Sequence, residues 1–182
     1  MAAEGPSPEV TVSTERAFQG KRLSVRVEQV RLADGTLTRR DIVDHPDSVV
    51  IVPVDAEGNL LLVRQYRKAP EVELVELPAG VIEGDASPAD AAMRELREET
   101  GMAAERLIPL GSFYAAPGSM TECLHAFLAI GLREDPLPAD HDERIVLERV
   151  PFAQALAKAR AGVFHDAKTL ASLLMAEDKL PR

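Results

Sequence analysis

A single cysteine, Cys123, is all the chain contains, so no internal disulfide can form, which suits a reducing cytosol. Cys123 sits in an apolar run and reads as a buried packing thiol rather than a nucleophile. No apolar stretch approaches the ~20 residues that a membrane-spanning helix needs. The first ten residues, MAAEGPSPEV, are polar and Pro-rich and carry no signal-peptide core. Positive charge is in deficit: 21 Lys and Arg stand against 30 Asp and Glu, a net charge of −9. That balance argues against nucleic acid or an anionic membrane as a partner through bulk electrostatics. The four histidines, His45, His125, His141 and His165, show no metal-ligand spacing among themselves, which argues against a zinc site. No internal repeat is visible. What remains, in 182 residues of which 46% are hydrophobic, is one domain, or one domain with a small appendage, able to bury a real core. A cytoplasmic location is expected.

Residues 1–13 read as loosely tethered. From Arg22 the apolar residues alternate through Leu23, Val25 and Val27, and then Val30 and Leu32 follow one step out of phase, as in a bulged strand. Ala33-Asp34-Gly35-Thr36 is a hairpin turn, and a second strand covers 36–43. The run SVVIVPV at 48–54, the turn 55–59 and the strand 60–63 read as a hairpin of the main sheet. Another strand, VELVEL, spans 72–77. Further strands are expected at 107–114, 123–132 and 145–150, and amphipathic helices at 152–161 and 167–177. The expected division is residues 1–43 as N-terminal strands and 44–182 as the main domain.

One helix stands out. Ser87-Pro88-Ala89-Asp90 combines a Ser N-cap, Pro at the first helical position and an acid three residues after the cap. Gly101 is the matching stop. Between them Glu95, Glu98 and Glu99 share one face, where like charges repel. A run of charge is ordinarily a solvated face. Here the acids crowd the C-terminal half of the helix, where the macrodipole disfavours them. Hard divalent cations such as Mg²⁺ take oxygen ligands of this kind, together with substrate phosphates.

The stretch from Gly80 through Arg94-Glu95-Leu96 and Glu98-Glu99 to Gly101-Met102 resembles the Nudix box, G-x5-E-x7-R-E-U-x-E-E-x-G-U with U aliphatic. At residue frequencies of about 5–10%, six fixed positions match by chance on the order of once in 10⁷ starts, far too rarely for a chain of this length. The sequence departs from the pattern once: Ala86 stands where its first Glu belongs, with Glu83 and Asp85 out of register.

The resemblance implies an α+β fold of α/β/α-sandwich type, with a mixed central sheet flanked by helices and a small N-terminal sheet. It implies hydrolysis of a nucleoside diphosphate linked to another group, with Mg²⁺ or Mn²⁺ as cofactor. Glu95 and Glu99 would be the primary metal ligands, with Glu98 in a second line and the Ala79 carbonyl as a further ligand. Arg94 would hold the glutamates in place. Glu-Leu-Pro-Ala-Gly at 76–80, with Pro117 beyond the box, is similar to the ADP-ribose pyrophosphatase branch, and the only tyrosines, Tyr66 and Tyr114, do not suit the diadenosine polyphosphate branch. That branch implies ADP-ribose as substrate and a general base on a late acidic loop, at Glu143, with Asp140 and Asp142 as rivals.

Arg64 and Arg67, at a strand end, suit phosphate because guanidinium forks match its oxygens. Glu76 either faces the site or is an exposed strand acid. Phe18 reads as a core or interface residue from the sequence alone, and as an adenine-stacking aromatic through the resemblance. Arg40, Pro117 and Glu122 complete the substrate-binding candidates. Members of the branch are commonly homodimers that exchange N-terminal strands. Three rival readings stand beside this one: hydrolysis of another nucleotide sugar or dinucleotide, a non-catalytic sensor of ADP-ribose or NAD, and a simple metal-binding or structural protein that binds Mg²⁺ without turnover. Intact Glu95, Glu98 and Glu99 weigh against the sensor.

Overall fold

The structure, a computed structural model, describes residues 8–84, 86–139 and 144–180. It divides into two compact units, Met1–Pro46 with Tyr114–Glu122, and Asp47–Phe113 with Cys123–Arg182.

The first unit carries an antiparallel sheet of three strands, β1 (Val10–Gln19), β2 (Ser24–Arg31) and β3 (Leu37–Asp44), in the order β1-β2-β3. The turn between β2 and β3 forms where the sequence placed it. Gly35 adopts φ 88°, and the Asp34 carboxylate accepts the Thr36 N–H at 2.8 Å. Two expectations are corrected. Residues 10–13 belong to β1 rather than to a loose tail, because Val10–Thr11 and Ser13 take β2 as a ladder partner and Thr11 Oγ1 donates to Glu28 at 3.0 Å. The register shifts lie in the β1–β2 ladder, between Thr11 and Ser13 and between Arg16 and Phe18. The phase change at Val30 leaves the β2–β3 register unbroken. Segment 114–122 is fastened to β3, with Val43 N–H donating to the Ser119 carbonyl at 2.8 Å and Thr121 N–H to the Val43 carbonyl at 3.0 Å.

The second unit is built on β4 (Ser48–Pro53), all of whose residues are buried. β4 runs antiparallel to β7 (Ala79–Val81) and parallel to β9 (Cys123–Glu134), in a mixed sheet of order β7-β4-β9-β8, where β8 is Met102–Tyr114. The two faces of β4 enter different cores. Val49 and Ile51 pack with Ala91, Ala92 and Leu96 of α1 (Pro88–Thr100). Val50 and Val52 pack with Phe152, Ala155 and Leu156 of α2 (Phe152–Arg160) and with Leu173 and Ala176 of α3 (Ala167–Ala176). Helices therefore cover both faces of the mixed sheet, as the α+β sandwich requires, and the strand reads as unbroken apolar sequence instead of alternating. Each such side chain contributes about 1.5–3 kcal/mol on full burial.

A second antiparallel sheet has the order β10-β5-β6, from β5 (Asn59–Arg67), β6 (Val72–Glu76) and β10 (Val146–Pro151). The expected β4–β5 hairpin closes with the single bridge Val54–Leu60, and Gly58 at φ 79° makes the turn. Beyond that the strands part into different sheets. β4 already has β7 and β9 along its two edges, and β5 has β6 and β10, so neither keeps an edge for the other.

Candidate active site

The site is assembled on α1 and β7. Ser87 sits in an extended conformation at the N-cap; its hydroxyl accepts the Asp90 N–H at 3.1 Å and donates to Asp90 Oδ2 at 2.6 Å. Gly101, at φ 72°, donates its N–H back to the Arg97 carbonyl at 3.1 Å. Both ends of the helix are thereby fixed, and so is the direction in which its acids point.

Glu95 and Glu99, one turn apart, are buried, with exposures of 9% and 7%. They lean on β7. An added Cβ at Gly80 would lie 2.0–2.3 Å from the Glu95 carboxyl atoms, so only glycine leaves the room that this carboxylate occupies. Ile51 N–H donates to Pro78 C=O, and Ile82 N–H to Asp47 C=O. Those contacts mark the hydrogen-bonded pairs of the β4–β7 ladder and make Ala79, opposite Val50, a non-hydrogen-bonded position. Its N–H and C=O point away from β4, along the edge where Ala79 N–H donates to Glu99 Oε2 at 3.0 Å.

Arg94 fastens the other end of the acid face. It bonds Glu98 Oε2 at 2.8 Å, Glu95 Oε1 at 2.7 Å and the Val81 carbonyl at 3.0 Å. Burial pulls the Arg94 guanidinium down, but Glu95, Glu98 and Glu83 outweigh it and hold it above its ordinary value.

Among the described residues, no three His, Cys, Asp or Glu side chains converge as a metal cage. Glu98 and Glu95 share Arg94 as an ion-pair partner. The donors nevertheless fit a hard divalent cation. Two buried carboxylates and an outward-facing peptide meet at a cradle that a side chain at residue 80 would fill.

Glu76, at the end of β6, is 1% exposed, so the exposed-strand-acid alternative is excluded. Its carboxylate takes the Arg67 fork at 2.8 and 2.7 Å and also the Lys168 ammonium, which lies 2.9 Å from Asp166. Burial pushes the Glu76 carboxyl up, but the hydrogen bonds from Arg67 and the charge of Lys168 prevail and hold it below the ordinary 4.5. Arg67, raised chiefly by its bonds to Glu76, also feels the charge of Glu99. The basic end of β5 is thus bound to Glu76 and senses Glu99 through its charge.

Arg64 bonds Glu148 at 2.8 Å and lines a cleft of about 470 Å³ with Gln65, Tyr66, Glu73, Arg144, Ile145 and Val146. In the first unit, Phe18 is 54% exposed on β1, and Arg40 on β3 binds Glu9 at 2.5 and 3.0 Å. Pro117 is exposed, and Glu122 lies 3.5 Å from His45 Nδ1. Glu143, with Asp140 and Asp142, lies outside the described residues.

Lys168, Asp166 and Thr169 were missed in the sequence. Asp166 and Thr169 carry a recognisable N-cap spacing, but nothing in the sequence links Lys168 to Glu76, 92 positions away.

The chain matches the NUDIX domain over residues 44–173. It is 38% identical over 163 residues to an ADP-ribose pyrophosphatase of Bacillus subtilis, a match spanning 88% of each chain. It is 36% identical over 164 residues to a methanol dehydrogenase activator of Bacillus methanolicus, spanning 89% of each. A solved structure titled ADP compounds hydrolase superposes with a TM-score of 0.88 at 23% identity, covering 98% of this chain and 97% of that one; at that identity it speaks to the fold. The acid-bearing helix seated on a glycine-opened strand lies inside the matched span, and the chain belongs to the NUDIX family.

Proposed function

We propose that the protein hydrolyses the pyrophosphate bond of ADP-ribose, taking up one water and giving AMP and ribose 5-phosphate. The observation that carries the reading is the pair of buried carboxylates, Glu95 and Glu99, set against Ala79 and Gly80. Carboxylate oxygens of this kind are the donors that a hard divalent cation takes, and the Bacillus subtilis relative supplies the substrate. The metal is Mg²⁺ or Mn²⁺, held by Glu95, Glu99 and the Ala79 carbonyl, with Glu98 in support. When bound, it neutralises phosphoryl charge and polarises the scissile P–O bond.

The chain's own residues do the rest. Arg94 holds Glu95 and Glu98 in place through its ion pairs to both. Arg64 and Arg67 offer cations to the substrate phosphates in a protein whose net charge of −9 otherwise repels them. Glu143 accepts the proton of the attacking water, with Asp140 and Asp142 as rivals. Phe18 stacks on adenine, Arg40, Pro117 and Glu122 complete the substrate-binding set, and in an exchanged dimer Phe18 or Arg40 of one copy reaches the substrate of the other. Glu76 acts by holding Arg67.

The working form is a homodimer. All of β1 is exposed, including Val10, Val12 and Phe18, which supports pairing with a second copy. Among the described residues no helix is long and apolar enough to cross a membrane. The lone Cys123 suits the cytoplasm.

A second reading follows from the Bacillus methanolicus relative: the same site serving a dehydrogenase as its activator. The test is incubation with ADP-ribose and Mg²⁺ beside a panel of other nucleoside diphosphate sugars and dinucleotides, with products separated by chromatography. AMP and ribose 5-phosphate from the wild type, and none from Glu99→Gln, are expected. Turnover confined to another substrate replaces ADP-ribose, and binding without turnover favours a sensor.

A further inference from the structure

The first turn of α3 grips the strand end that leads into the site. Asp166 caps the helix and accepts both the Thr169 N–H, at 3.0 Å, and the Thr169 hydroxyl, at 2.5 Å. With its proton directed at Asp166, the fully buried Thr169 oxygen turns a lone pair to the Leu77 N–H, at 2.8 Å. One residue earlier, the Lys168 ammonium reaches Glu76 and Asp166 together. Glu76 and Leu77 are therefore both tied to α3. The next two residues are tied elsewhere: Pro78 C=O accepts the Ile51 N–H at 2.9 Å, and Ala79 N–H donates to Glu99 at 3.0 Å. Four consecutive residues are held by three different elements, α3, β4 and α1, and the last bond is to a carboxylate of the site.

We infer that Thr169 and Lys168 are positioning residues, which set the placement of the Ala79 peptide and Gly80 against Glu95 and Glu99. This inference rests on the metal-site reading above. Neither side chain touches a reacting atom. Thr169 acts through the Leu77 N–H, and Lys168 through the Glu76–Arg67 pair. The alternative is that the first turn of α3 merely anchors the helix, in which case its loss lowers stability and leaves the site untouched.

The test uses the full chain as wild type, Thr169→Val, Thr169→Ser and Lys168→Met. Mn²⁺ binding is measured alone by electron spin resonance, then kcat and KM for ADP-ribose, with thermal melts alongside. Partners that orient metal ligands typically change affinity or activity by about 10–100-fold when removed. Thr169→Val and Lys168→Met are expected to weaken Mn²⁺ binding and lower kcat within that range, with KM changed by less than about threefold. Thr169→Ser, which keeps the hydroxyl, is expected to restore both.

Lower melting points with Mn²⁺ affinity and kcat at wild-type values overturn the inference. So does an equal loss in Thr169→Ser. If Thr169→Val fails to fold, Lys168→Met decides. A wild type that binds Mn²⁺ but leaves ADP-ribose intact removes the proposed substrate, and the Mn²⁺ comparison still decides this point. A wild type that binds no Mn²⁺ overturns the inference outright.

Discussion

Replacing Gly80 with alanine separates the site from the scaffold more cleanly than removing any carboxylate. The new Cβ would stand 2.0 Å from Glu95 Cδ and 2.1 and 2.3 Å from its oxygens, whereas real Cβ contacts essentially never fall under 3.0 Å. The carboxylate must withdraw by about 1 Å or more, and a misplacement of about 1 Å at a reacting centre can cost about 100-fold. The backbone has no corresponding objection. Gly80 is not among the glycines with positive φ, so alanine is admissible there, and relief of unfolded-state entropy offers about 0.4–1 kcal/mol. The clash falls on the far end of a flexible side chain, so the carboxylate can yield without the strand moving. Gly80→Ala is therefore expected to lose about 100-fold in kcat/KM while its melting temperature moves by no more than about 4 °C, the shift that about 1 kcal/mol produces at this size. Steady-state kinetics with ADP-ribose and a calorimetric melt check both halves. Wild-type kcat/KM in a folded Gly80→Ala would refute the cradle. A collapse of the melting temperature would refute the claim that its purpose is functional rather than structural.

Glu76→Gln should be less stable than wild type at neutral pH by about 1.5–3 kcal/mol, the usual worth of hydrogen bonds to a charged group. Because the folded-state pKa of Glu76 lies below its ordinary 4.5, this contribution is fully present above pH 4.5 and disappears as pH falls through the lower folded value. Urea unfolding at several pH values should show the two proteins converging below pH 4.5, and a gap independent of pH would refute the ion network. Ser87→Ala removes the hydroxyl that accepts the Asp90 N–H and should cost about 1 kcal/mol, or roughly 2–4 °C, in a thermal melt; an unchanged melt would mean that the cap does not secure α1.

The parts of this protein that could be read in advance are those whose physics is local. Ser87, Pro88 and Gly101 declare the ends of α1 because capping is decided within four residues, and the spacing of Glu95 and Glu99 declares their shared face. The pairing of strands was less accessible. Adjacent apolar runs at β4 and β5 looked like a hairpin, and only the completed sheets reveal that each strand's edges are taken by others. The tail at 10–13 looked unstructured because its ladder partner lies in β2, beyond a turn. Glu76 was ambiguous for a similar reason. A buried acid and an exposed one look alike until Arg67, nine residues away, and Lys168, near the far end of the chain, are brought beside it. Position 86 shows the reverse: the box glutamate is missing there, yet α1 is capped and its acids seated without it.

The hold of α3 on Glu76 and Leu77 also bears on the order in which the chain is made. Synthesis delivers the N-terminal strands first, then the box helix, and the residues that fasten the strand end only with the last helix. A nascent chain that has already released every glutamate of the site still lacks Thr169 and Lys168. For that interval Leu77 and Glu76 must remain solvated or find temporary partners. On the positioning role inferred for Thr169 and Lys168, α3 is a completion step: a product truncated before it would keep the whole box but lack the bonds to Leu77 and Glu76.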